Sequence, residues 1–186
     1  MADDELVVRR AALADVAGIA RVHVQSWRAT YPGLLPVAEI ERHTLARRAG
    51  TWARLLDGTT AVVFVAARSD GVLGFANTGP FRVTEGHAQD EGSGEEQGEG
   101  QGEGEGELNA LYLLPTAQRQ GIGRQLFDAG ANALREAGFT AMRCWVLHGN
   151  PAIAFYERLG GERVASKTFS VEGATVAEHC YRFKLD

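Results

Sequence analysis

The sequence predicts a single α/β domain, and three observations support this fold class. Strand-like and helix-like segments alternate along the 186 residues in the order βααβββαβαββ. A buried-strand pattern at residues 108–114 runs through Pro115 into a glycine-containing loop and an amphipathic helix. Apolar residues make up 45% of the chain, which is enough for one core at this length.

The first elements are a strand and two helical regions. The strand is expected at Leu6–Arg10, and Asp15 is expected at the start of a helix that ends before Pro32. A second helical region is expected from Pro36 to Gly58. The apolar positions that predict it are Ile40, Leu45, Ala49, Trp52 and Leu56.

A β-hairpin is expected next, with strands at residues 60–67 and 72–82 and a turn at Ser69–Gly71. Gly74 and Gly79 weaken the second strand and could mark a bulge. The final third predicts a helix ending near Gly138 and strands at 139–147, 162–171 and 175–185, with a helix from Asn150 between the first two.

Residues 85–106 form an insertion composed almost entirely of Gly, Glu and Gln. Such a composition cannot bury apolar area to offset the entropy of ordering, so a flexible loop is expected. It is either a tolerated expansion of a surface loop or an acidic lid that attracts a cationic substrate. Seven of the acids lie at 90–106 without any base, so the rest of the chain is near neutral and no nucleic-acid surface is expected.

The stretch Glu107–Arg124 carries the strongest functional signal. Gly121 and Gly123 let a ligand approach the backbone where the unpaired N–H groups of a helix begin. The helix dipole, Arg119 and Arg124 favour an anion there, most plausibly a phosphate or pyrophosphate. A dinucleotide fingerprint does not fit, because Leu126 stands where a third small residue is needed; a Walker A loop would need a lysine.

The cysteines, the lengths of the apolar runs and the first residues indicate a cellular location and argue against a membrane or secreted protein. Cys144 and Cys180 lie in strand-like runs without metal-ligand spacing, which predicts buried free thiols. This fits a reducing cytoplasm. Apolar runs are too short to span a membrane, and the acidic start Met-Ala-Asp-Asp-Glu is unlike a signal peptide.

Two motifs together resemble a known family. The pattern Gln-x-x-Gly-x-Gly at 118–123 resembles motif A of the GCN5-related N-acetyltransferases (GNAT), and residues 150–160, Asn-Pro-Ala-Ile-Ala-Phe-Tyr-Glu-Arg-Leu-Gly, resemble motif B. Their order and spacing are those of the family, and the resemblance covers roughly residues 6–185 apart from the insertion. Gly161 departs from the family, which often has Phe there.

The resemblance implies one domain over residues 1–186, with a mixed, mostly antiparallel, splayed sheet and helices on both faces. It also implies acetyl-CoA as co-substrate, bound through the backbone of Leu111 and Leu113. Further CoA contacts are implied at Gln118, Arg119, Gln120, Gly121, Ile122, Gly123, Arg124 and Asn150. Trp27 and Tyr31 are candidates for the acceptor pocket, although a core Trp and a turn Tyr are equally compatible with the sequence.

The resemblance implies transfer of the acetyl group to a primary amine, on a small molecule or a peptide, by direct attack in a ternary complex. Tyr156 matches the proton donor to the leaving thiolate, and Glu107 is a candidate general base. His148 or a water chain are alternatives for the base; Trp145 stands where other relatives place a carboxylate. A catalytically silent acyl-CoA-binding regulatory module is the alternative function. No metal, nucleic-acid or membrane partner is expected, and a homodimer is compatible with the resemblance.

Overall fold

A computed structural model describes residues 5–58, 61–81 and 104–185, which form one seven-stranded sheet. The strand order is β1-β2-β3-β4-β5-β7-β6. Every neighbouring pair is antiparallel except β4 with β5. The strands are β1 (Val7–Arg10), β2 (Val62–Arg68), β3 (Gly71–Pro80), β4 (Glu105–Leu113), β5 (Ala141–Leu147), β6 (Glu162–Val171) and β7 (Ala174–Lys184).

Among the described residues, five α-helices accompany the sheet: α1 (Val16–Thr30), α2 (Val37–Arg42), α3 (Leu45–Asp57), α4 (Ile122–Glu136) and α5 (Ile153–Arg158). The prediction of one helical region after Pro36 is therefore wrong in one respect, since the region is divided into α2 and α3. His43 leaves helical geometry, with φ −81° and ψ 71°. Thr44 then begins α3, because its hydroxyl accepts a hydrogen bond from the backbone N–H of Arg47 at 3.2 Å.

Helices cover both faces of the sheet. Phe75 of β3 points to one face, where it contacts the rings of His23 in α1 and Trp52 in α3. Gly74 faces the opposite side; a Cβ built on it would lie 3.2 Å from Leu126 in α4 and 2.9 Å from the carbonyl oxygen of Tyr112. Gly74 therefore allows close packing of α4. We call the two sides the α1 face and the α4 face.

The parallel pairing of β4 with β5 is short. It joins Glu105 to Ala141, Gly106 to Met142 and Glu107 to Arg143, and no later pair follows among the described residues. The two strands therefore diverge, and the splayed sheet implied by the resemblance is confirmed. We call the opening between residues 108–113 of β4 and residues 144–147 of β5 the interstrand cleft.

Two details of the hairpin and the insertion differ from expectation. The bulges lie beside the glycines and not at them: the pairing of β2 with β3 shifts between Ala66 and Ala67, and that of β3 with β4 shifts between Asn77 and Thr78. The predicted loop at 85–106 extends too far, because Glu105 and Gly106 already belong to β4. Residues 85–103 lie outside the described part of the chain.

Two apolar clusters form the core. The larger fills the space between the sheet and its helices, including α4. The smaller lies on the α1 face and comprises Trp27, Tyr31, Leu35, Ile40, Leu147 and Val176. Both cysteines are buried free thiols, as predicted. In the described ranges no helix is long and apolar enough to cross a membrane, and no cluster of metal-binding side chains occurs.

Candidate active site at the interstrand cleft

The glycine-containing loop has the backbone geometry of an anion site. Arg119 and Gly121 both adopt positive φ, 59° and 80° respectively, and the helix α4 follows at Ile122. A Cβ on Gly121 would meet nothing within 4 Å, so this residue borders open space. The loop is held by Gln120, whose amide donates to the Thr116 carbonyl at 2.8 Å. The first-turn N–H groups of α4 are thus available at an open surface.

Gly123 and Arg124, in the first turn of α4, each lie next to other residues of the protein. A Cβ on Gly123 would lie 3.5 Å from Leu113 in β4 and 3.6 Å from the ring of Phe155 in α5, which are ordinary contact distances. Gly123 thus lies where α4 packs between β4 and α5, and it also leaves its backbone accessible to a ligand. The guanidinium Nε of Arg124 donates to Asp128 at 2.8 Å, and both side chains are exposed.

The backbone of β4 at Leu111 and Leu113 faces the cleft. The N–H of Leu114 bonds to the carbonyl of Leu73 in β3, which turns the polar groups of Leu113 and, two residues earlier, Leu111 away from β3. The carbonyl oxygen of Leu113 already accepts a 2.7 Å hydrogen bond from Ser26 of α1. This oxygen therefore keeps one lone pair for a further donor, and the predicted contact of Leu113 with CoA stays a prediction.

Asn150 stabilises the turn that leads into α5. Its side-chain oxygen accepts from the backbone N–H of Ala152 at 2.9 Å, and its own N–H bonds to the Leu147 carbonyl at 3.1 Å. Asn150 is buried. The predicted cofactor contact is compatible with this role, because the side-chain NH₂ and the second lone pair of the oxygen are not used by the turn.

Tyr156 lies on α5 with its side chain almost fully enclosed, at 7% exposure. Burial raises the pKa of its phenol well above the ordinary value, and Cys144 and Tyr31 act electrostatically in the same direction. Its hydroxyl has no hydrogen-bond partner among the described residues. Tyr156 therefore holds its proton throughout the physiological range.

Tyr31 and Trp27 lie on the α1 face of the cleft. The Tyr31 hydroxyl shares a 3.0 Å hydrogen bond with that of Tyr112 in β4, which neighbours Leu111 and Leu113. Trp27 is 1% exposed and stacks on His43 with ring centroids 3.5 Å apart. Trp27 is thus a core residue in this structure. Its buried Nε1 has no hydrogen-bond partner among the described residues.

Glu107 occupies the vertex of the cleft. Its β4 register pairs it with Arg143, the last parallel pair before the strands diverge. Burial raises the pKa of Cys180 to about 11, and the charge of Glu107 acts in the same direction, so the two groups lie within electrostatic range. Cys144 of β5 lies within electrostatic range of both Glu107 and Tyr156, and Tyr156 lies within range of Tyr31, so these side chains are grouped around β5.

His148 belongs to a chain of three polar side chains. Its Nδ1 lies 3.1 Å from Nε2 of His179, whose Nδ1 lies 2.9 Å from the Ser166 hydroxyl. Burial, with Arg163 and His148 nearby, lowers the pKa of His179. His148 itself is exposed at the end of β5. This hydrogen-bond chain explains the position of the His148 ring. No role in removing a proton from a substrate is needed to explain it.

Sequence reasoning missed Tyr112 in the cleft and two side chains on the α1 face beside it, Lys167 and Glu178. For Glu178 a signal existed, because it alternates with Val176 and Cys180 on one side of the predicted last strand. An acid at a core position of a strand requires a partner. For Tyr112 and Lys167 the partners come from distant segments, and nothing local marks them.

Comparisons with known proteins agree with this geometry. Residues 20–161 match the family model described as Acetyltransferase (GNAT) family. Over 175 residues, covering 93% of this chain and 90% of the relative, the chain is 39% identical to a protein of Bacillus subtilis (strain 168) named Uncharacterized N-acetyltransferase YuaI.

Solved structures show the same fold at low identity. An N-acetyltransferase from Staphylococcus aureus Mu50 has a TM-score of 0.71 at 18% identity, covering 98% of this chain and 99% of that one. YncA from Salmonella typhimurium, solved with its cofactor acetyl-CoA, has a TM-score of 0.65 at 21% identity and covers 97% and 94%. The PaiA N-acetyltransferase from Thermoplasma acidophilum, solved with coenzyme A, has a TM-score of 0.66 at 18% identity and covers 97% and 99%.

Proposed function

Because this chain belongs to the GNAT acetyltransferase family, we propose that it transfers the acetyl group of acetyl-CoA to a primary amine by direct attack in a ternary complex. The observation that carries the proposal is the interstrand cleft. It opens beside the anion loop, exposes the β4 backbone and has Glu107 at its vertex.

Acetyl-CoA is proposed to bind along β4. Its pyrophosphate would lie on the amides of residues 119–124, where positive-φ geometry and the helix dipole favour an anion. Its amide arm would bond to the backbone of Leu111 and to the remaining lone pair of Leu113, in place of a neighbouring strand. The acetyl-CoA and CoA complexes of YncA and PaiA support a cofactor of this type in the shared fold.

Tyr156 is proposed to protonate the departing thiolate. Its raised pKa keeps the proton on the phenol until a strong base forms beside it. Burial raises the pKa of a thiol as well, so the thiolate produced in the cleft is more basic than in water.

The acceptor amine must lose a proton before it attacks, and Glu107 is the proposed base. Its position at the vertex of the cleft supports this assignment. A water chain would take the same proton in its absence, whereas His148 is engaged with His179. The attack forms the N–C bond and breaks the C–S bond. The first proton of the ammonium goes to Glu107, the phenol proton goes to sulfur, and the second proton lost by the nitrogen returns to the Tyr156 phenolate.

An acetylation screen tests the proposal. Purified protein is incubated with acetyl-CoA and a panel of amines and lysine peptides, and the released CoA thiol is measured. We expect amine-dependent release that falls in the Tyr156→Phe variant. CoA binding without release for any amine would contradict the catalytic assignment and favour a silent CoA-binding module.

A further inference from the structure

A cation lies between an aromatic ring and a carboxylate on the α1 face, next to the cleft. The ammonium nitrogen of Lys167 in β6 is 4.4 Å from the centroid of the Trp145 ring and 3.1 Å from a carboxylate oxygen of Glu178. Trp145 belongs to β5 and Glu178 to β7. Three neighbouring strands thus contribute one side chain each to a site for an ammonium group.

Burial differs sharply between the two charges. The Glu178 side chain is 0% exposed, whereas that of Lys167 is 28% exposed. A carboxylate at such a depth requires a cation beside it. Lys167 comes from the edge strand β6, so its unbranched stem has solvent on one side into which the ammonium can withdraw.

The site adjoins the place where the acceptor would react. Glu178 is the register partner of Leu147, which belongs to the same apolar cluster as Tyr31 and Val176. Trp145 is paired with Cys180, and Cys180 lies within electrostatic range of Glu107. Glu107 pairs with Arg143, which lies on the same face of β5 as Trp145 and Leu147, so the ring, the carboxylate and the proposed base all lie on one face of the sheet beside the cleft.

We propose that Trp145 and Glu178 bind the ammonium group of the acceptor, and that Lys167 occupies this site when the acceptor is absent. The present occupant defines the substrate class, because a lysine side chain is a primary ammonium on an unbranched alkyl chain. The acceptor is accordingly an unbranched primary alkylamine, either free or as the side chain of a lysine residue. The acetyl-transfer part of this inference rests on the proposed function.

The first test measures binding and needs no catalysis. Lys167→Ala vacates the site and leaves Glu178 without that cation, so the melting temperature should fall. Saturating n-butylammonium, which reproduces the lysine side chain, should restore most of the loss by binding the folded state. Neutral 1-butanol and anionic butyrate should not. The control variant Lys184→Ala removes an exposed lysine outside the site, and n-butylammonium should leave its melting temperature unchanged.

A second variant separates specific binding from a general effect of the amine. Lys167→Ala combined with Glu178→Gln lacks the carboxylate of the site, and n-butylammonium should no longer stabilise it. If Lys167→Ala alone does not fold, refolding in n-butylammonium but not in 1-butanol gives the same answer. Equal stabilisation of the single and double variants, or none in either, would overturn the proposed site.

The third test uses the full enzyme and two acceptors, n-butylamine and a peptide with one lysine. Glu178→Gln and Trp145→Leu should each raise the KM of the better acceptor about tenfold or more and leave the KM of acetyl-CoA unchanged. The acceptor with the higher kcat/KM identifies the natural source of the alkylamine. An unchanged acceptor KM in both variants would refute the site even if acetyl transfer is active. Rescue by n-butylammonium without transfer to any amine would refute the proposed function and retain the site.

Discussion

The Tyr156→Phe variant removes a single oxygen atom and so distinguishes a catalytic role of Tyr156 from a packing role. The ring is enclosed and would stay in place, because phenylalanine has nearly the same shape. Since the hydroxyl has no hydrogen-bond partner in the described ranges, its removal breaks no hydrogen bond there. We therefore expect the free energy of unfolding to change by less than about 1 kcal/mol.

The rate should change far more than the stability. A positioned proton donor contributes about 10²–10⁴-fold, which is about 3–5 kcal/mol in the transition state. The proton is given only as the C–S bond breaks, so kcat should fall while the KM of acetyl-CoA stays nearly constant. The assay is thiol release under saturating acceptor, beside a calorimetric titration with CoA and a denaturant titration. Because the pKa of Tyr156 is raised, its ionisation should limit the rate only above about pH 10.

Tyr181→Phe is the matched control. Its hydroxyl donates to Glu157 at 3.2 Å, so the loss should appear in stability, by about 1 kcal/mol, with turnover unchanged. Near-normal turnover in Tyr156→Phe, with chemistry shown to be rate-limiting, would refute the assignment. Loss of CoA binding together with turnover would instead identify Tyr156 as a cofactor contact.

Three further predictions concern stability. Gly121→Ala forces an L-residue into φ 80° and should cost about 1–2 kcal/mol, or about 2–8 °C in melting temperature, whereas Gly123→Ala should be neutral or stabilising. Ser26→Ala removes the donor to the Leu113 carbonyl and should cost about 1 kcal/mol by denaturant titration. Burial, with help from nearby cations, holds the pKa of His23 well below its usual value, so the folded state binds fewer protons than the unfolded state in acid. Stability should then fall below about pH 6.5, by up to about 1.4 kcal/mol per pH unit for this group, and the slope should be smaller in His23→Gln; an unchanged slope would contradict the assignment.

The element order was predictable because it depends on local periodicity. The glycine loop at 118–124 and the Asn150 turn follow from residue types that only certain backbone geometries accommodate. The division of the second helical region was missed, although Thr44 is a recognisable N-cap. Gly161 has a physical reason here: a Cβ at this position would lie 2.8 Å from the Phe183 ring and 2.9 Å from the Tyr156 carbonyl.

The pairing of side chains from distant segments was not predictable. The hydroxyl pair of Tyr31 and Tyr112 joins residues 81 positions apart. The bond from Ser26 to the Leu113 carbonyl joins residues 87 positions apart. Such contacts depend on the crossing of α1 over β4, which periodicity does not fix. For the same reason the sequence could not decide that Trp27 lies in the core.

Because β4 diverges from β5, amide hydrogen exchange along β4 reports whether a ligand occupies the cleft. A sheet usually protects its amides from exchange with solvent deuterium through the neighbouring strand. Along residues 108–113 that protection is missing on the cleft side, because the parallel pairing ends at Glu107. A ligand bound there would take the place of the missing neighbouring strand and hydrogen-bond the β4 backbone. The Leu111 amide would then exchange slowly only while the cofactor is bound, so deuterium uptake at one position would report cofactor binding in the absence of any acceptor.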